Sequence, residues 1–339
     1  MSGLASPETD IVAEALAGLT APRKSLPPKL FYDEPGCALF GAITRLAEYY
    51  PTRTERALLP RVAAALGAWV EPGAALVEYG ASDEGKAEFL FGPLKSAAYV
   101  PIDIAAPALA ALAARMRRRH PAIAVHPVAA DFLAPVRLPA VIAGMPRLGF
   151  FPGSTIGNLD HDEAIAFLGR ARGALGPGAP LLIGVDLEKS LDILIPAYDD
   201  AEGVTAAFNL NILSRLNREA EADFDPALFR HRAVWNDRFR RIEMHLESRV
   251  PQSVRVAGLR IEFAAGETIH TENSHKFSEA RFAALAAQAG WLVAESWTDR
   301  DRLFSVQLLV SRSWARSFQA RDRTGVKSGI RKNPACAWR

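Results

Sequence analysis

Ala74-Ala-Leu-Val-Glu-Tyr-Gly80, running on into Ala-Ser-Asp-Glu-Gly-Lys86, is the stretch whose reading decides the fold. A short, mostly apolar run that stops at a glycine reads as a buried strand, and the glycine allows a ligand close to the backbone where the amides of the next helix point outward. Ala98–Ile104 reads as a second strand, with Asp103 falling 23 residues after Gly80. After it, Ala105, Leu109, Leu112 and Met116 repeat at helical spacing and predict a helix ending before Pro121.

Further along, residues 122–130 and 148–152 predict the third and fourth strands. Asp160 with Glu163 three places on forms a capping pattern for a helix carrying Ile165, Leu168 and Leu175, and Gly176-Pro177 stops it. A fifth strand is expected at Leu181–Leu187. Strands alternating with helices of this length imply a parallel sheet covered on both faces, with ligands beyond the carboxyl ends of its strands: an open α/β architecture.

After Leu187 the pattern changes. Phe208, Ile212 and Leu216 mark a helix, and residues 239–271 are β-rich, including Ser253-Val-Arg-Val and Leu259-Arg-Ile-Glu-Phe263. Ser278 is positioned to cap a helix using Phe282, Leu285 and Ala286, which ends at Gly290-Trp291, and Phe304, Val306, Leu308 and Val310 alternate as a last sheet strand. The expected organisation is an α/β core of residues 53–187 and 275–312, a second part of different character made of residues 5–52 and 188–274, and a basic tail of residues 313–339.

Composition excludes several classes. Of 339 residues, 49% are hydrophobic and 23% charged, ordinary values for a globular chain and far from collagen-like or low-complexity sequences. No apolar run approaches the roughly 20 residues a membrane helix needs, and the first residues show neither a basic start nor an apolar stretch of the secretory kind. The two cysteines, Cys37 and Cys336, fit no metal or redox spacing. The cytoplasm is the expected compartment, with no membrane partner. Arg312–Arg339 contains eight Lys or Arg and one acid, so it carries +7 while the rest of the chain is about −5. An acidic body argues against a nucleic-acid footprint there, and the tail reads as a solvated terminus.

The turn at Gly80 does not by itself choose a cofactor. Positions 80, 82 and 85 are Gly, Ser and Gly, so the G-x-G-x-x-G spacing of a pyrophosphate cradle is absent. Asp103 can accept from two ribose hydroxyls, and Asp131-Phe132 suits the edge and face of an adenine. A dinucleotide and S-adenosylmethionine both remain open, with the missing cradle favouring the latter.

Three longer motifs are more specific: Lys29-Leu-Phe-Tyr-Asp-Glu-Pro-Gly36, Leu39-Phe-Gly-Ala-Ile-Thr-Arg-Leu-Ala-Glu-Tyr-Tyr-Pro-Thr-Arg53, and Phe150-Phe-Pro-Gly-Ser-Thr-Ile-Gly-Asn-Leu159. In this order they resemble the S-adenosylmethionine-dependent L-histidine Nα-methyltransferases of ergothioneine biosynthesis, and the likeness runs from about Lys24 to Ser311. The resemblance implies a class I methyltransferase, a Rossmann-like open sheet with an inserted α+β substrate domain. It implies that Gly80, Ser82, Lys86, Asp103, Asp131 and Phe132 contact the cofactor. Histidine would be held by Tyr49, Asn158, Tyr198, Glu272, Asn273 and Ser274, with Tyr32 and Gly153 lining the same pocket, and Asn158 and Tyr49 as the catalytic pair. Ser82 departs from the glycine common at that place. The activity implied is trimethylation of the α-amine to give hercynine, with S-adenosyl-L-homocysteine as by-product, by a monomer using no metal. An N-methyltransferase of another aromatic amino acid such as tryptophan, or an inactive ligand-binding relative, is the alternative.

The chemistry is consistent with that set. Glu272 can accept from a ring N–H, and Ser274 can donate or accept at the same ring. Methyl transfer turns a sulfonium into a thioether as the amine gains charge, so alignment and desolvation supply most of the rate and no general base is named.

Overall fold

The computed structural model describes residues 7–81 and 85–312; Ser82 and the tail from residue 313 lie outside them. The described chain separates into two compact units. One runs up to Tyr50 and takes in Lys189–Lys276; the other is Pro51–Glu188 and resumes at Phe277.

The second unit is built on one sheet. Its strands are β1 (Ala75–Tyr79), β2 (Ala98–Asp103), two short pieces β3 (Ala124–Val125) and β4 (Val128–Ala129), β5 (Arg147–Phe151) and β6 (Leu181–Asp186). After the excursion through the other unit, whose strands are β7 (Phe229–Asn236), β8 (Arg241–Ser248), β9 (Gln252–Val256), β10 (Leu259–Phe263) and β11 (Thr268–His275), the chain returns for β12 (Trp291–Thr298) and β13 (Phe304–Ser311). The sheet order is β12-β13-β6-β5-β1-β2-β3, with β4 also on β2. The strands from β6 to β3 are parallel, while β13 runs antiparallel between β6 and β12.

Helices cover both faces because β1 sends alternate side chains each way. Ala75, Val77 and Tyr79 join Phe167, Leu168 and Leu175 of the helix His161–Leu175 and Phe282 and Leu285 of Glu279–Gln288. Leu76 joins Leu58, Leu59 and Val62 of the helix Tyr50–Leu66 and Leu90 and Leu94 of Glu88–Leu94. Each large apolar side chain buried this way contributes roughly 1.5–3 kcal/mol. The expected caps form: Asp160 N–H donates to Glu163 at 3.0 Å, and Ser278 Oγ accepts from Arg281 N–H at 3.2 Å.

Three local expectations differ. The third strand is interrupted, because His126-Pro127 breaks the ladder between β3 and β4. β13 alternates in sequence but is buried along its whole length, since it lies inside the sheet and its polar members Ser305 and Gln307 bond to each other at 3.0 Å. The β-rich stretch also begins ten residues early, at Phe229, in a strand whose Phe-Arg-His-Arg-Ala-Val-Trp-Asn sequence has little apolar alternation.

In the first unit β11-β8-β7 form an antiparallel sheet and β9-β10 a separate ribbon. The N-terminal segment closes the β11 edge: Leu26 N–H donates to the His270 carbonyl and His270 N–H to that of Lys24, both at 2.9 Å. The helix Val204–Glu219 packs Phe208 on Phe31, ring centroids 4.5 Å apart. No helix among the described residues is long and apolar enough to cross a membrane.

Candidate active site

In the sheet unit the chain turns one way from β1 to β2 and the other way from β1 to β5, which makes the carboxyl end of β1 the topological switch point, where open α/β sheets hold ligands. Gly80 stands there with φ +72°, a left-handed backbone that costs other residues about 1–2 kcal/mol. A Cβ on it would stand 3.6 Å from Phe132 Cε1. Phe132 packs edge-on against Phe151 and Phe167 at 5.5 and 5.6 Å, leaving its ring only partly buried.

Asp103 closes β2 beside this turn, its Oδ1 accepting from Ala105 N–H at 2.8 Å. Burial pushes its carboxyl above the usual range, against the backbone donors at Ala105 and Ile104. The Asp103 carbonyl accepts from Ala130 N–H at 3.0 Å, which brings Asp131 to the neighbouring strand end, and Asp131 Oδ1 takes Leu133 N–H at 2.8 Å. A glycine turn, a desolvated carboxylate and an aromatic ring at one sheet end suit an adenosyl group: diol hydroxyls for Asp103 and a flat base for Phe132.

The motif at 150–159 forms the next part of this end. Gly153 has φ +78° and Ser154 φ +58°, and Ser154 Oγ accepts from Asp186 N–H at 2.9 Å, which ties the left-handed pair to β6. Gly153 N–H points to Glu55, which accepts it at 3.1 and 2.9 Å through its two oxygens. The same carboxylate, fully buried, pairs with Lys86 Nζ at 2.6 Å. Glu55 thus joins Lys86 to Gly153. It occupies the space a side chain at Gly184 would need, since a Cβ there would lie 2.1 Å from Glu55 Oε1. Asn158 ends the short helical turn Thr155–Asn158, half-buried.

In the other unit, β11 delivers Glu272, Ser274 and, just past its end, Lys276 at every second position. Register against β8 shifts between His270 and Glu272, so Thr271 is an extra residue in the ladder. Its Oγ1 donates to Asn209 Oδ1 and to the Met244 carbonyl, at 2.8 and 3.0 Å, which pins the bulge. Asn209 Nδ2 in turn donates to His231 Nδ1 at 2.8 Å, and His231 Nε2 donates to the Tyr198 carbonyl at 2.7 Å. Burial holds the His231 ring below its usual range, which suits this neutral form.

Tyr198 is brought directly onto Ser274: their hydroxyls share a hydrogen bond at 2.7 Å. Lys276 Nζ donates to both oxygens, each at 2.7 Å, and is fully buried. Glu272 is also buried; loss of hydration pushes its carboxyl up to about 7, with the Lys276 charge pulling the other way. Tyr49 packs on Tyr198 with ring centroids 6.4 Å apart, and Phe40 bridges Tyr49 to Tyr32 at 6.5 and 6.0 Å. Asn273 is of opposite parity on β11 and does not join Glu272 and Ser274. Among the described residues no group of three His, Cys, Asp or Glu is placed to hold a metal ion.

Sequence reasoning did not single out Lys276, Glu55 or His231. Lys276 carries a readable signal, the parity it shares with Glu272 and Ser274; Glu55, inside a helix, carries none.

A parallel sheet with one antiparallel strand next to its edge, and a glycine turn at its switch point, is the architecture of a class I methyltransferase. A family model described as "Histidine-specific methyltransferase, SAM-dependent" matches residues 11–311, and the chain belongs to that family. It is 44% identical over 317 residues to the histidine N-alpha-methyltransferase of Mycolicibacterium smegmatis, covering 89% of this chain and 96% of that one. To the protein of the same description from Mycobacterium tuberculosis it is 41% identical over 301 residues, 87% and 93% covered. The ergothioneine biosynthesis protein 1 of Neurospora crassa matches at 30% over 204 residues, 57% of this chain and 23% of that longer one.

Proposed function

We propose that this histidine methyltransferase adds three methyl groups to the α-amine of L-histidine, giving the betaine hercynine on the route to ergothioneine. The observation that carries the reading is the buried polar set of the excursion unit, in which Glu272 and Ser274 share one face of β11 and the Ser274 hydroxyl is held at 2.7 Å by both Tyr198 and Lys276. An imidazole is complementary to such a set: its N–H suits the Glu272 carboxylate and its ring nitrogen suits the Ser274 hydroxyl.

S-adenosylmethionine, when bound, supplies the activated methyl group. Gly80, Asp103, Asp131 and Phe132 are assigned to its adenosyl part, and Lys86 and Ser82 to the same loop. On the substrate side, Glu272 and Ser274 read the ring, Tyr198 stiffens Ser274, and Tyr49 and Tyr32 wall the pocket with aromatic surface that excludes water. Asn158 is assigned to accept from the amine, which orients its lone pair without needing a base. Recognition through the ring keeps the substrate aligned as the amine's N–H contact to Asn158 is lost with successive methylation. Asn273, Gly153 and the remaining residues named by resemblance contribute backbone and shape.

Calorimetry tests the reading. With S-adenosylhomocysteine present, histidine is expected to bind, and Glu272→Ala is expected to weaken it by about 10²-fold or more while tryptophan affinity rises or is unchanged. A wild-type protein that binds tryptophan in preference to histidine would favour the other aromatic amino-acid substrate.

A further inference from the structure

The reading above leaves one hydroxyl with two possible roles, because a serine can donate or accept. Its surroundings remove the choice. Ser274 Oγ has two lone pairs and one proton. Lys276 Nζ has only donors, and one of its protons goes to Ser274 Oγ at 2.7 Å, occupying the first lone pair. Tyr198 also lies at 2.7 Å, and in that pair the phenol, about five orders of magnitude more acidic than an aliphatic alcohol by general chemistry, is the better donor while the serine oxygen is the better acceptor. The second ammonium proton, directed at the phenol oxygen at 2.7 Å, strengthens this by drawing electron density from the O–H. Both Ser274 lone pairs are then taken, and what the side chain has left to offer is its proton.

We propose that Lys276 is a positioning residue that, through Tyr198, commits Ser274 to donate, so that the pocket selects a neutral imidazole in one tautomer, with a bare ring nitrogen at Ser274 and the N–H at Glu272. This rests on the histidine reading and deepens it. A doubly protonated ring would set an N–H against the Ser274 proton and bring a second cation towards the fully buried Lys276 ammonium. Among the described residues, the charged and titratable groups beside Ser274 include Lys276 and Glu272 from its own strand and Tyr198 from the segment after the short helix Leu191–Leu194. Tyr49 packs on the Tyr198 ring, and His231 reaches only the Tyr198 backbone. Lys276 is fixed in this arrangement by burial: its ammonium also lies 4.6 Å from the centre of the Tyr198 ring.

The test is nitrogen NMR of ring-labelled L-histidine bound to the full chain with S-adenosylhomocysteine present. Wild type is expected to show one lone-pair-type and one N–H-type ring nitrogen at pH 7.5 and still at pH 6.0, where the free ring, with a pKa of about 6.5, is mostly cationic. Calorimetric affinity is expected to drop by at least about fourfold over that interval, through loss of neutral ligand and further as the Glu272 carboxyl, raised to about 7, takes up its proton. In Lys276→Met, with S-adenosylhomocysteine affinity as the check on folding, tautomer averaging or a protonated ring should appear and the pH slope should flatten. Tyr198→Phe, which returns one lone pair to Ser274 and leaves Lys276 in place, should admit a minor second tautomer. A doubly protonated ring in the wild-type complex, or both variants retaining the wild-type tautomer, overturns the proposal. Absence of any histidine binding to wild type instead defeats the substrate reading itself.

Discussion

At the scale of single residues, Glu272 is where function and stability oppose each other. Its carboxyl is raised to about 7 because burial strips its hydration, and Lys276 offsets only part of that. An acid with a raised folded-state pKa binds its proton more tightly folded than unfolded, so stability falls as pH climbs from the ordinary carboxylate range to about 7 and then levels off. Glu272→Gln removes that dependence. Denaturant melts at pH 5 and pH 8 should therefore show the variant gaining about 2 kcal/mol on wild type between the two, while histidine binding weakens. Equal differences at both pH values would mean that Glu272 is better solvated than its burial implies. Glu55 presents the opposite case, a buried carboxylate already satisfied by Lys86 and by the Gly153 N–H. Glu55→Ala strands a cation and a backbone donor, and is expected to cost about 3 kcal/mol in equilibrium unfolding, with Glu55→Ala/Lys86→Met recovering part of it.

At the scale of elements, two irregularities place the chemistry. The left-handed turn after β1 keeps Gly80 open opposite Phe132, so Gly80→Ala both strains the backbone and puts a methyl group 3.6 Å from that ring. Titration with S-adenosylhomocysteine should show at least tenfold weaker binding, with histidine recognition residues untouched; unchanged affinity would remove Gly80 from the cofactor site. The bulge at Thr271 resets the parity of β11 so that Glu272, Ser274 and Lys276 follow on one side, pinned by the Asn209 and Met244 bonds. The first of these was legible in the sequence, because a strand that stops at glycine needs no partner to be recognised. The second was not: Thr271 looks like any strand residue, and the bulge depends on Asn209, 62 positions away. The same limit explains Glu55, whose partners come from two other loops, and the split third strand, where a proline sits inside an otherwise apolar run.

At the scale of the whole chain, the order of strands and helices in the core was readable because parallel strands buried on both faces leave continuous apolar runs between capped helices. The excursion was harder to read. Phe229–Asn236 is a half-exposed strand whose neighbours, not its own pattern, hold it in place, and closure of the β11 edge by Lys24–Leu26 joins segments more than 240 residues apart. The family match ends at residue 311, as does β13. A chain truncated after Arg312 is accordingly expected to turn over histidine within about twofold of the full chain, assayed side by side; loss of activity would give the basic tail a part in the reaction. The central claim is that the ring-reading pair on β11 serves methylation of the amine on the same molecule. It is tested most directly by mass spectrometry with fragmentation of the products formed by the purified chain from L-histidine and S-adenosylmethionine. Three successive methyl additions, all on the α-nitrogen and matched by S-adenosylhomocysteine, are the expected result; methyl groups on the imidazole, or no product from histidine while tryptophan is methylated, would contradict the account.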